Sequence, residues 1–100
     1  MEEMADAQAR LDELITAGER AETLVEEWTT RHFTGTADDG RIIATTDALG
    51  SLLTLDISPV TRRRLDTVQL ADAILAAIVT AEQAAEQAKD ELMNGLRLTP

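Results

Sequence analysis

The chain has no cysteine, which excludes a disulfide framework, a thiolate metal site and a cysteine nucleophile. Aromatic residues make up only 2% of it, namely Trp28 and Phe33, so a thick core built on large rings is not available. The single histidine, His32, has neither a second histidine nor a cysteine to complete a metal site. Grouping it with Ser51 and an aspartate as a triad has no positioning signal behind it. Asp38-Asp39-Gly40 lacks further oxygen ligands at the spacing of a cation loop and reads as a turn. The acidic pairs Glu2-Glu3 and Glu26-Glu27 read as solvated helix positions rather than acid/base partners. No glycine-rich phosphate loop is present. The expectation is a non-enzymatic protein with no cofactor, no metal and no small-molecule substrate.

Long hydrophobic runs are also missing. The longest, Ala73 to Ala81, is bracketed by Asp72 and Glu82 and falls far short of the ~20 residues that cross a bilayer. Glu2, Glu3 and Asp6 stand where a secretory signal would be basic. These features predict a cytoplasmic protein with no membrane partner.

What the chain does contain is alanine, leucine, isoleucine and valine, within a 44% hydrophobic share. Alanine lets helices approach closely, so helix packing is favoured over a broad core. One hundred residues make one domain, and long helices on a small sheet leave an apolar stripe for self-association to cover. The net charge of −10 is uneven: residues 1–30 carry −7, residues 31–65 carry +1, and residues 66–100 carry −4. The acids belong to the two ends and the arginines to the middle.

The first segment, about residues 2–28, is helical by its pattern. Met4, Ala7, Leu11, Leu14, Gly18, Ala21, Val25 and Trp28 recur at three- and four-residue steps. Gly18 and Ala21 in that seam predict a close crossing with another helix. From Thr29 the texture turns β-branched, and strands are expected at about 29–36, 41–47 and 51–58. Asp39-Gly40 and Asp47-Ala48-Leu49-Gly50 supply the turns, so the strands form an antiparallel meander. Alternation places Leu53, Leu55 and Ile57 on one face of the third strand, and Pro59 stops it. Val60 to Leu65 reads as a link. Asp66, with Gln69 three residues on, caps a second long helix over about 66–94, and Gly95 is its expected C-cap before a frayed end. The fold class is therefore α+β in the order α-β-β-β-α.

The stretch GRIIATTDALGSLLTLDISP, followed after the link by LADAILAAIVTAEQAAEQAKDEL, resembles the YbaB/EbfC family of small nucleoid-associated proteins. The glycine-led turn at Gly50, the Leu53-x-Leu55-x-Ile57 strand and the Pro59 stop carry the resemblance, and it spans nearly the whole chain. It implies a homodimer joined through the sheets, helices that project as arms, and DNA binding with little sequence preference. Some actinobacterial relatives instead accompany type VII secretion systems as accessories to other proteins.

Cations must be spaced along phosphates for DNA binding, and the candidates are Arg62, Arg63 and Arg64, with Arg31 and Arg41 on adjoining strands. Their structural alternative is a solvated loop with edge charges that deter aggregation. Ile43, Leu53, Leu55 and Ile57 from the sheet are the packing and dimer candidates, with Leu14, Val25, Trp28, Ile74 and Ile78 from the helices. Acidic arms repel a duplex that approaches side-on. Two readings therefore stand: a homodimeric double-stranded DNA binder, or an acidic protein-interaction module, adaptor or chaperone-like, with little DNA affinity.

Overall fold

The computed structural model describes residues 2–97. Its elements are α1 (Glu2–Thr29), β1 (Phe33–Ala37), β2 (Ile42–Thr46), β3 (Leu52–Ile57), α2 (Pro59–Arg64) and α3 (Thr67–Leu96). The strands form one antiparallel sheet in the order β1-β2-β3.

Several boundaries differ from the sequence expectation, each for a local reason. Residues 29–32 are not strand: α1 continues through Thr29. The Thr29 and Thr30 hydroxyls donate to the Glu26 and Glu27 carbonyls at 2.8 and 2.9 Å, so these β-branched residues close the helix instead of opening a ladder. The link after β3 is a short helix, α2. Ser58 is its N-cap and accepts from the Val60 amide, and Pro59 sits in the first turn, where its missing N–H costs nothing. Asp66 and Gln69 form a complete capping box, with bonds of 2.8 and 3.1 Å. Gly95 does not stop α3, which runs on to Leu96. The rest of the expected frayed end, past Arg97, lies outside the described residues.

The hairpin turn takes three successive left-handed residues, Asp38, Asp39 and Gly40, with φ of 52°, 56° and 80°. Aspartate and glycine are the residue types that accept this conformation most readily. Ile42, Ala44 and Thr46 point to the covered face of β2 and are fully buried. Phe33 and Gly35 continue that face on β1. The register breaks once, between Thr45 and Thr46, where Thr54 and Leu52 are the partners and Leu53 is the extra residue of a bulge. The expected single-faced trio of Leu53, Leu55 and Ile57 is therefore interrupted at Leu53.

Helix α3 crosses β1 and β2 through Ala77, Ala81, Ala85 and Ala88. Gly35 permits the approach. A Cβ there would lie 2.5 Å from the Ala81 amide nitrogen and closer still to the Ala77 carbonyl oxygen. Two small cores result. Phe33, Ala48, Ala85 and Ala88 gather with Trp28 at one end of the sheet; Ile42, Ala44, Ala77 and Ala81 gather with Ile57, Leu70, Ile74 and Ile78 at the other. Of the packing candidates, Trp28, Ile57, Ile74 and Ile78 join these cores, whereas Leu14, Val25, Ile43, Leu53 and Leu55 remain exposed.

The radius of gyration is 21.3 Å, against ~13 Å for a compact chain of this length, and the longest dimension is 78 Å. The helices supply the excess. Among the described residues of α1 only Ala17, Ala21, Leu24 and Trp28 are half-buried, a single side spaced four, three and four residues apart. Trp28 and Leu24 line a small cleft with Ala88 and Leu92, so the last turns of α1 lie beside the outer part of α3. Gly18, by contrast, has no atom of another element near it, so the close crossing expected there does not occur within the chain. By length and composition α3 also matches a membrane span, but one side of it is taken up by the sheet.

Candidate nucleic-acid interface at the α2 end

The five candidate arginines fall into two places. Strand β1 runs from the Trp28 core at Phe33 to the hairpin turn after Ala37. Five residues of strand span about 17 Å. Arg31 precedes β1 and lies at the Trp28 end, its guanidinium 4.9 Å from the Phe33 ring centroid. Arg41 closes the hairpin turn at the opposite end. Its carbonyl accepts from the Ser58 amide at 2.9 Å, which ties it directly to the start of α2. Arg41, Arg62, Arg63 and Arg64 therefore share one end of the sheet, and Arg31 does not.

Within that cluster the side chains are not equivalent. Asp38, only 10% exposed, accepts the Thr61 hydroxyl at 2.6 Å and pairs with Arg64. Arg64 is thereby spent on holding α2 against the hairpin turn. The nearest carboxylate to Arg41 is Asp39 at 3.9 Å, with Asp39 itself almost fully in water, a pairing worth little. Arg63 turns its Nε to the Pro59 carbonyl at 3.3 Å, and Arg62 has no side-chain partner among the described residues. Arg62 and Arg63 are exposed, and no ion pair among the described residues involves either. They are the cations most open to an incoming phosphate.

The acidic arms leave from the other end. α1 meets the sheet at Trp28, and α3 starts beside α2, crosses the sheet, and continues past Ala88 on the Trp28 side. The acids of α1 from Glu3 onward, together with Glu86, Asp90 and Glu91 of α3, thus lie toward the Trp28 end, whereas Glu82 follows Ala81 over the middle of the sheet. A strand length of about 17 Å is about two Debye lengths at physiological ionic strength, so the charge of α1 and of the outer part of α3 is largely screened at α2. Near the cluster, Asp38 is already paired and Asp66 accepts the Gln69 amide as a helix cap, while Asp39, Asp56 and Asp72 are exposed acids on the same side of the molecule.

Other candidate chemistry is not assembled. His32 is exposed in the connection before β1. Among the described residues no three His, Asp or Glu side chains converge as metal ligands.

The helix–meander–helix order, with a helix closing over two of three strands, defines a small α+β protein with its arginines gathered mainly at one end of the sheet. The chain belongs to the YbaB/EbfC DNA-binding family, whose model matches residues 1–98. Among solved structures it is similar to the crystal structure of the uncharacterized protein HP0035 from Helicobacter pylori. That similarity has a TM-score of 0.65 and 18% identity, and covers 84% of this chain and 98% of that one. No curated protein sequence matches the chain.

Proposed function

We propose that the protein is a non-enzymatic homodimer that binds double-stranded DNA with little sequence preference through its α2 end. The observation that carries this is the gathering of Arg41, Arg62 and Arg63 at the end of the sheet opposite the acidic arms. Arginines on an exposed short helix reach phosphates without entering a groove, and such contacts position a duplex without reading bases. One chain offers few cations, so a two-fold copy is needed to reach useful affinity.

Self-association has its own support. Strand β3 is one of the sheet's two edges, and apart from Ile57 its side chains are exposed. Leu52, Leu53 and Leu55 are 46%, 47% and 37% exposed on an unpaired edge, which a second copy could pair and cover. Ile43, at 38%, extends the exposed apolar surface onto β2.

Fluorescence anisotropy with a mixed-sequence duplex at low salt tests the reading. Binding that weakens steeply with salt supports it, and absence of binding at low salt overturns it. The second reading, an acidic module that binds other proteins, is favoured by one observation: the apolar side of α1 is uncovered along most of its length.

A further inference from the structure

From Glu3 to Thr16 every residue of α1 is exposed, so about four turns of helix stand without packing from the rest of the chain. An isolated helical stretch of about this length is marginal in water. Its apolar residues are not scattered. Met4, Leu11, Leu14, Ile15 and Val25 are 78%, 55%, 66%, 50% and 39% exposed, and at 100° per residue they form one stripe. That stripe is distinct from the side of Ala17, Ala21, Leu24 and Trp28 that turns toward α3. Gly18 lies within it and has open space above it, so another backbone could approach closely there. Asp12, Glu19 and Glu26, each seven residues from the next, run as an acidic rail along the stripe's outer edge, and Glu22 interrupts the stripe itself.

We propose that this stripe of α1 docks an amphipathic helix of another protein whose apolar seam is flanked by lysine or arginine. The inference rests on the reading of α1 as an interaction arm. Charge selects the occupant. Residues 1–30 carry −7, so a second α1 laid along the stripe would bring the same acidic rail with it, and nucleic acid or an anionic bilayer would be repelled. A basic helix matches the rail and covers the leucines in a single helix-on-helix contact. Leu11 and Leu14 are the anchors, Gly18 sets the closest approach, and Asp12, Glu19 and Glu26 set the charge preference.

The test uses the full chain and three synthetic peptides, each roughly three heptads long. One carries leucine at a and d with lysine on the flanks, one has the same leucines flanked by glutamate, and one scrambles the lysine peptide so that no apolar face forms. The lysine-flanked peptide is expected to bind by calorimetry, and its affinity is expected to fall with salt. Leu11→Ala with Leu14→Ala is expected to weaken it by about tenfold or more. Asp12→Lys, Glu19→Lys and Glu26→Lys together, which leave the stripe and the two cores untouched, are expected to weaken the lysine peptide and admit the glutamate peptide. Equal binding of the scrambled peptide would reduce the effect to bulk charge and overturn the proposal. Binding of the glutamate peptide alone would overturn the charge preference and leave the arm reading standing. Binding of none would remove both. A Leu14→Asp variant that turns a peptide-free dimer into a monomer would assign the stripe to a second copy and overturn the proposal.

Discussion

The Asp38 carboxylate accepts the hydroxyl of Thr61 at 2.6 Å across 23 residues of chain, joining the first hairpin turn to α2. Thr61 is fully buried, and the other Asp38 oxygen pairs with Arg64. One carboxylate therefore fixes the helix that presents Arg62 and Arg63.

Asp38→Ala leaves a buried hydroxyl without a partner and releases Arg64. The expected cost is about 1–3 kcal/mol in urea unfolding, because a buried unsatisfied group loses its full desolvation compensation. Asp38→Asn keeps an acceptor for Thr61 and a side chain suited to left-handed φ, so its loss is expected to be smaller.

Gly35→Ala places a methyl group against the backbone of α3 at Ala77 and Ala81. Backbone cannot yield as a flexible side chain does, and about 1–3 kcal/mol or more should be lost. Thermal melting is expected to drop by several degrees or more, at roughly 4–8 °C per kcal/mol for a domain of this size. Gly18→Ala, in open space within a helix, is expected to do the opposite and stabilise α1 by up to about 1 kcal/mol.

For the DNA reading, Arg62→Ala with Arg63→Ala is expected to abolish most duplex binding and to reduce the slope of log affinity against log salt. Each phosphate that the protein no longer neutralises lowers the magnitude of that slope by about 0.9. Arg31→Ala, at the other end of the sheet, is expected to leave both quantities almost unchanged. Equal effects from the two variants would remove the α2 end as the interface.

For the dimer, Leu53→Asp with Leu55→Asp puts two charges on the exposed β3 edge. Sedimentation velocity is expected to shift from twice the chain mass to the chain mass, with circular dichroism retained. A wild-type chain that sediments as a monomer at micromolar concentration would overturn the dimer.

Much of the fold is legible in the sequence because its signals are local. The Asp66 and Gln69 pair announces the start of α3, and Asp39-Gly40 announces the hairpin. The rest is decided by competition between levels. Thr29 and Thr30 have β propensity, but their hydroxyls find helix carbonyls first. Pro59 reads as a stop, although Ser58 before it makes the same proline the first turn of a helix. The bulge at Leu53 has no sequence signal in a run of leucines. For the site, the five arginines can be named from the sequence, but not sorted. Their separation into two ends, and the engagement of Arg64 by Asp38, depend on which end of a strand each residue occupies.

Helix α1 is half-buried only on the side that runs from Ala17 to Trp28, with about 20 Å of rod beyond that stretch. Mechanically it is a lever gripped along one end. A rocking of about 10° at Ala17 would carry the far tip through about 4 Å, roughly a third of a helix diameter. A rod held in this way moves its tip without altering the sheet that carries it.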